Sequence, residues 1–243
     1  MTDLGFQLHS LHAVDDSLHD VVRRVGEAPF DGVEFAGLDD ADPAELADTL
    51  DDAGLAVAGA HVDLDALESD VGGVADTYAA LGCRAITVPW LDPEHFDSVD
   101  AVEAAADRLT AVGDALDDRG FDLHYHNHDQ GFVDLDGEPA LDVLLDAADG
   151  VGLELDLGWA GAAGHDPLAV LDDHADRVDL VHLKDYDETT RKPTAVGTGD
   201  LDVEAAVELV RDHEFDWLVY EAEGRPDSYE TLAHATDVVE QYW

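Results

Sequence analysis

Short apolar runs alternate along the chain with longer amphipathic stretches that are rich in Asp and Ala. Eight of the runs have the length and composition of β-strands: Leu4–His9, Gly32–Ala36, Leu55–Val62, Ala85–Trp90, Asp122–His128, Val151–Asp156, Val178–Lys184 and Trp217–Ala222. The stretches between and after them predict helices near residues 15–27, 43–53, 65–81, 97–119, 139–148, 167–175, 202–213 and 228–241.

Eight strand–helix units in 243 residues predict a single-domain (β/α)8 TIM barrel over residues 1–243, because that fold takes ~250 residues. The rival fold is a doubly wound open sheet, but no GxGxxG fingerprint follows the first strand. Asp42-Pro43 and Asp166-Pro167 predict helix starts with an Asp cap and a proline in the first turn.

The chain has 59 acidic and 11 basic residues, for a formal charge of -48. This charge excludes nucleic acid and anionic membranes as main partners, because both are held chiefly by Lys and Arg. Asp far outnumbers Glu and only two lysines occur, which is typical of proteins from extreme halophiles. With no apolar run of ~20 residues and no signal-peptide pattern at the start, the sequence predicts a soluble, cytoplasmic protein.

Polar side chains cluster at the predicted strand ends. Because active sites of such barrels form at the C-terminal ends of the strands, side chains on the inward parity of those ends are the candidates. They are Gln7, His9, Glu34, His61, Asp63, His124, His126, His128, Glu154, Asp156, His182, Lys184, Glu221 and Glu223. The alternating residues, such as Leu155 and Val181, are apolar and are expected to face the helices. A purely structural barrel would prefer Val, Ile or Leu at the inward positions.

Four of these residues form a candidate metal set, one on each of strands five to eight: His126, Asp156, His182 and Glu221. Two imidazoles with two carboxylates suit Mn²⁺, Co²⁺ or Zn²⁺ better than Mg²⁺ or Ca²⁺, which favour shells of oxygen alone. We therefore expect one divalent ion, with Mg²⁺ as a weaker alternative.

The segments YHNHDQGF, ELDLGWAGAAGHDP, VHLKDY and VGTGDLD occur in this order along the chain. They resemble the sugar phosphate isomerase/epimerase group of the xylose isomerase-like barrel superfamily, to which the inosose dehydratases are related. The resemblance implies the same four metal ligands. Two positions depart from many relatives: His126 stands where they have Glu, and Trp159 where they have the His of a DxxH motif.

The resemblance implies a small-molecule sugar or sugar phosphate as substrate, with proton transfer through an enediolate that the ion stabilises. Glu221 is the expected proton carrier, with Glu154, Glu34 or His61 as the second acid or base and Lys184 as a catalytic candidate. With one base, aldose–ketose isomerisation and dehydration of a keto-sugar or keto-inositol both remain open. A sugar-binding barrel without catalysis is the third alternative, and homo-oligomer formation is left open.

The remaining site candidates concern substrate binding. Glu34 and His128 lie at strand ends, and Trp90 and Trp159 are expected either to flank the sugar or to pack in the core. Arg191 and Lys192, with Arg225 as a further member, form a candidate anion patch; the alternative is that the first two pair with Asp187 and Glu188. In VGTGD, Asp200 is expected to cap the next helix.

Overall fold

The computed structural model describes residues 1–223 and 228–243. Eight parallel strands close into a barrel in which each strand pairs with its neighbours in the chain, and the first closes against the last. The strands are β1 Asp3–Gln7, β2 Gly32–Phe35, β3 Ala56–His61, β4 Ala85–Val88, β5 Asp122–His126, β6 Val151–Asp156, β7 Val178–Leu183 and β8 Trp217–Tyr220. The predicted (β/α)8 barrel is confirmed.

Helices surround the barrel and bury their apolar faces on it. In the described residues they are α1 Leu18–Val25, α2 Pro43–Ala53, α3 Leu64–Ala80, α4 Val99–Asp117, α5 Ala140–Ala147, α6 Leu157–Ala163, α7 Pro167–Asp173, α8 Val203–His213 and α9 Tyr229–Tyr242. Their ends agree with the predictions to within a few residues, apart from α6. None of the helices in the described ranges is long and apolar enough to cross a membrane.

Local signals account for several helix ends. The Asp42 side chain accepts hydrogen bonds from the backbone N–H groups of Ala44 and Glu45, and Asp166 does the same at α7. Gly54 ends α2 in the left-handed conformation, with φ +71°, which glycine adopts without steric cost. The predicted cap at Asp200 is wrong. Asp202 caps α8, because its side chain accepts from the N–H of Ala205, whereas Asp200 bonds the backbone of Glu188.

The second difference from the predicted elements lies after β6, where α6 was not predicted. Its sequence, LGWAGAA, is short and glycine-rich, so its pattern does not indicate a helix. Close packing explains the glycines: a Cβ at Gly161 would overlap the ring of Tyr186, and one at Gly158 would lie 2.7 Å from Cγ of Lys184. Tertiary contact with the chain that follows β7 therefore holds this helix.

The barrel has an apolar outer layer and a polar interior at its C-terminal end. The alternating residues Phe35, Leu155 and Val181 have no exposed surface and belong to the core cluster. The residues of opposite parity are in register across the strands: Gln7 with Glu34, His126 with Glu154, and Asp156 with His182. The parity argument is thus confirmed, and the register brings the polar residues of neighbouring strands side by side.

Candidate active site

The four predicted metal ligands converge at the C-terminal end of the barrel. His126 ends β5, Asp156 ends β6, His182 lies near the end of β7, and Glu221 directly follows β8. Each offers one nitrogen or oxygen atom, and these four atoms all lie within 4.8 Å of one another. Because an ion at ~2.0–2.3 Å from each ligand needs donors at such separations, the set fits a divalent cation.

Direct contacts link the members of this set. The Nδ1 atom of His182 lies 2.7 Å from Oε2 of Glu221 and 3.9 Å from Oδ2 of Asp156. The Nε2 atom of His126 lies 3.7 Å from the same Asp156 oxygen. All four side chains are buried, Glu221 being the most exposed at 4%. Their interactions are therefore little screened by water.

Lys184 places its ammonium group against the carboxylates of this set. Its Nζ atom lies 2.8 Å from Oδ2 of Asp156, 2.9 Å from Oε2 of Glu221 and 2.6 Å from Oε1 of Glu223. The side chain has no exposed surface. Asp185, the next residue in the chain, is not a partner of Lys184, because its carboxylate accepts from backbone N–H groups of the loop after β7.

The charges around Glu221 and Lys184 favour the ionised form of both side chains. Burial alone would raise the pKa of Glu221, but the positive charge of Lys184 and the hydrogen bond from His182 outweigh it and hold that pKa well below the ordinary value. Burial likewise opposes the charge of Lys184, yet the Asp156 and Glu221 carboxylates raise the pKa of its ammonium group. Glu221 is therefore a carboxylate, able to accept a proton, over the whole neutral range.

A second polar layer lies deeper in the barrel, below the ligand set. Glu34 and Glu154 have no exposed surface. Oε2 of Glu154 lies 2.7 Å from Nε2 of His61, 3.0 Å from Nδ1 of His126 and 3.5 Å from Nε2 of His182. Oε2 of Glu34 lies 2.7 Å from Nε2 of His182 and accepts from the Gln7 amide at 2.8 Å. The deeper layer is thus a network of two carboxylates and three imidazoles.

Charge in this layer is shared between acids and imidazoles. Burial lowers the pKa of His61, but the Glu34 and Glu154 carboxylates overcome it and raise that pKa to about 10. The same two carboxylates raise the pKa of His182 against the effect of burial. In return, His182 and His61 hold the pKa of Glu154 well below its ordinary value, although burial acts the other way. At neutral pH His61 is an imidazolium facing two carboxylates.

A cavity of about 430 Å³ opens above these layers at the barrel mouth. Among the residues predicted for the site, His61, Trp90, His126, His128 and Glu221 line it. Glu34, Glu154, Asp156, His182 and Lys184 are not among its lining residues; they lie behind the first wall. Its size is within the usual range for small-molecule sites.

Aromatic rings form one wall of the cavity. The rings of Trp90 and His128, which both line the cavity, meet edge to face with centroids 4.8 Å apart. The ring centroid of Trp159, which is not a lining residue, lies 5.2 Å from that of His128. Trp90 is 44% exposed, so it does not belong to the core. Burial, followed by the effect of His126, lowers the pKa of His128 to about 2, so this imidazole is neutral at neutral pH.

Arg191 and Lys192 lie away from the cavity floor, on a short antiparallel ribbon formed by Asp185–Asp187 and Lys192–Thr194. Both side chains are exposed. Neither forms an ion pair with Asp187, Glu188 or any other residue in the described part of the chain. Arg225, the third member of the predicted anion patch, lies outside the described residues.

Three residues with structural roles at the site went unassigned from the sequence. The Asn127 side chain clamps Asp156, accepting from its N–H at 2.8 Å and donating to its carbonyl at 3.1 Å. Asp185 is buried and accepts from the N–H groups of Gly197, Gly199 and Leu201, which shapes the loop after β7. Glu223 bonds Lys184, as described above. The YHNHD and HLKD segments carried the signal for the first two.

Known proteins share this fold and parts of this sequence. The profile described as xylose isomerase-like TIM barrel matches residues 22–241. An inosose dehydratase of Clostridium beijerinckii is 27% identical over 158 residues, which are 57% of this chain and 52% of that protein. The chain thus spans about half the length of this curated relative.

Two solved structures superpose on almost the whole chain. A sugar phosphate isomerase/epimerase from Parabacteroides distasonis has a TM-score of 0.83 at 18% identity, covering 99% of this chain and 93% of the other. The IolI protein with a bound zinc atom has a TM-score of 0.78 at 18% identity, covering 100% and 99%. At these identities the likeness shows the fold.

Proposed function

Because the chain belongs to the xylose isomerase-like TIM barrel family, we propose that it is a metal-dependent isomerase or epimerase of a sugar or sugar phosphate. In this reaction a proton moves to and from a carbon beside a carbonyl group. The observation that carries the proposal is the convergence of His126, Asp156, His182 and Glu221 within 4.8 Å of one another, with His126 and Glu221 lining the cavity.

The four side chains would hold one divalent ion, and Mn²⁺, Co²⁺ or Zn²⁺ suits two imidazoles and two carboxylates best. Such an ion, when bound, acts as a Lewis acid on the carbonyl and hydroxyl oxygens of a sugar. Zinc in the IolI neighbour supports a divalent ion in this fold. The ammonium group of Lys184, which contacts Asp156, Glu221 and Glu223, would stay beside the site and hold these carboxylates in place.

Glu221 is the proton carrier in this proposal. It lines the cavity, and its low pKa keeps it in the carboxylate form that accepts a proton. An isomerase needs one carboxylate on one face, which takes the proton from one carbon and returns it to the next. An epimerase needs a second group on the opposite face, and His9, His61 and His128 are the lining imidazoles outside the candidate metal set.

Dehydration of a keto-sugar or keto-inositol is the second candidate, and a protonated imidazole together with a carboxylate in the cavity wall favours it. His61, whose pKa is raised to about 10, carries a proton that a departing hydroxyl group could take, and Glu221 is the lining carboxylate that would act as the base. Elimination needs both: a base takes the proton beside the carbonyl, an acid protonates the departing hydroxyl group, and a carbon–carbon double bond and water form. The inosose dehydratase relative supports this candidate.

The test is turnover of a panel of ketoses, inososes and their phosphates in D₂O, with Mn²⁺ or Zn²⁺ in molar KCl. Deuterium bound to carbon in a product that keeps its water supports the isomerase or epimerase, while loss of water assigns the lyase. Metal and sugar binding with neither result would leave a sugar-binding barrel and overturn the proposal.

The matched variant is Glu221→Gln, which keeps the shape of the side chain and removes the proton acceptor. We expect turnover to fall by at least ~10²-fold, the usual scale for a positioned acid or base, with the thermal transition retained. Asp179→Asn is the control, since Asp179 pairs with the barrel histidine His124 at the opposite end. Near wild-type turnover in Glu221→Gln would exclude Glu221 as the proton carrier.

A further inference from the structure

The imidazole of His182 separates two carboxylates that lie at different depths. Its Nδ1 atom faces Glu221 at 2.7 Å, on the cavity side. Its Nε2 atom faces Glu34 at 2.7 Å, on the deep side. Only one ring nitrogen can therefore turn toward an ion held with Glu221, and it is Nδ1.

His126 also lies between two carboxylates, but here Nε2 faces the ligand set and Nδ1 faces the deeper layer. Its Nε2 atom is the one near the ligand set, 3.7 Å from Oδ2 of Asp156. Its Nδ1 atom lies 3.0 Å from Oε2 of Glu154, in the deeper layer. Each ligand imidazole thus has one carboxylate of the ligand set on one side and one deep carboxylate on the other.

The two deep carboxylates have few other donors. Neither Glu34 nor Glu154 pairs with a lysine or arginine in the described residues. Apart from imidazoles, Glu34 accepts from the Gln7 amide at 2.8 Å, and Glu154 accepts from the Thr87 hydroxyl at 3.3 Å. A carboxylate with no exposed surface needs hydrogen-bond donors, and the imidazole N–H groups supply them.

The register of the barrel sets this depth. The pairing of β2 with β3 shifts between Val33 and Glu34, and the pairing of β6 with β7 shifts between Leu153 and Glu154. Such irregularities re-aim the side chains beside them. Both shifts fall next to the deep carboxylates, which lie behind the imidazoles instead of in the cavity wall.

We propose that Glu34 and Glu154 are positioning residues that select the tautomers of the ligand histidines. Glu34 accepts from Nε2–H of His182. Oε2 of Glu154 lies 3.0 Å from Nδ1 of His126 without an aligned hydrogen bond, and in this proposal the bond forms when the ring turns its Nε2 atom to the ion. The ion then binds through Nδ1 of His182 and Nε2 of His126, two different ring nitrogens. A carboxylate behind a ligand imidazole fixes the ring and raises its basicity. The inference rests on the proposed function only for the presence of an ion, and it removes Glu34 and Glu154 from contact with substrate.

The experiment uses the full chain, labelled with ¹⁵N-histidine and loaded with Zn²⁺ in molar KCl. Long-range ¹H–¹⁵N correlation spectra report which nitrogen of each imidazole carries the proton and which the metal. We expect Nδ1 coordination for His182 and Nε2 coordination for His126. Glu34→Gln and Glu154→Gln should each weaken zinc affinity by ~10–100-fold, measured by chelator competition.

Asp179→Asn is the matched control, because it makes the same carboxylate-to-amide change beside His124, at the opposite end of the barrel. It should leave zinc affinity unchanged. Coordination of both ligands through Nε2, or unchanged affinity in the two Gln variants, overturns the inference. So does a zinc signal on His61, which would place the ion in the deeper layer.

The outcomes also separate this inference from the proposed function. Zinc bound through the expected nitrogens, without turnover of any sugar, would leave the positioning roles standing and sink the enzyme assignment. Turnover of a sugar by a chain in which both histidines bind zinc through Nε2 would support the enzyme assignment and overturn the positioning roles. A wild-type chain that takes up no zinc overturns both.

Discussion

The two ends of the barrel each contain an interior histidine beside a carboxylate, yet they differ in what surrounds the pair. At the N-terminal end, His124 bonds Asp179 at 2.8 Å, and the Asp179 side chain is 57% exposed. At the C-terminal end, His182 lies between Glu34 and Glu221, which are 0% and 5% exposed. Water can screen the first pair and not the second. A histidine–carboxylate contact therefore marks a site only where several such contacts converge in a buried place.

The largest difference between the two ends is expected for Lys184→Met, compared with Asp179→Asn. Removing the ammonium group leaves Asp156 and Glu221 buried without their cation, which costs ~3–5 kcal/mol in comparable pairs, whereas a half-exposed pair contributes ~0–1 kcal/mol. Unfolding of the metal-free chain in urea, a denaturant without charge, measures both. Equal losses in the two variants would break the comparison.

The same variant sharpens the comparison when metal is added. A divalent ion would supply the positive charge that Lys184→Met lacks, so saturating Zn²⁺ should restore most of the lost free energy of unfolding. No recovery would mean that the ion does not reach Asp156 and Glu221.

The second prediction concerns pH and His61. Its pKa rises from 6.5 to about 10 on folding, so its contribution to stability is complete below about pH 6.5 and is lost as the pH rises through 10. The free energy of unfolding of the metal-free chain should fall by a few kcal/mol over that interval. His61→Gln should flatten the profile, and an unchanged slope in this variant would refute the assignment of the charge to His61.

The third prediction concerns the outer surface, where most of the acidic residues behind the net charge of -48 lie. At ~10 mM salt self-repulsion acts over about 30 Å, and at ~1 M over about 3 Å. The thermal midpoint should therefore rise steeply between ~0.1 M and molar KCl. The thermal midpoint should rise equally in Asp179→Asn and in the wild type, because the rise reflects repulsion among many surface charges and not the loss of one ion pair. A flat profile would show that the acidity is no adaptation to salt.

The smallest effect is expected from the double change Arg191→Ser and Lys192→Ser. Both cations are exposed and do not line the cavity, so they act on a phosphorylated substrate only through the screened field. At the lowest salt at which the chain stays folded, we expect the double change to raise KM for a sugar phosphate a few-fold relative to KM for its neutral parent. In molar KCl the double change should leave KM for the sugar phosphate unchanged. An equal KM ratio at both salt concentrations would exclude an anion patch.

The sequence predicted the fold and the convergence of the four candidate ligands because both follow from local rules. The apolar periodicity and the Asp-Pro starts located the helices, and strand parity selected the inward residues. Parallel strands bring their C-terminal ends together, so one residue from each of four successive strands was enough to predict His126, Asp156, His182 and Glu221 as neighbours.

Only the tertiary structure determined how deep each inward side chain lies in the barrel and which residues it contacts. Parity states which way a side chain faces, but not how far along the barrel it lies, and register shifts at Glu34 and Glu154 set those depths. The three carboxylates around Lys184 come from β6 and from the segment beyond β8, and α6 exists because glycines let it pack on Tyr186. The local sequence determined the elements and the inward set, whereas the cross-strand register determined which inward residues reach the cavity and which stand behind them.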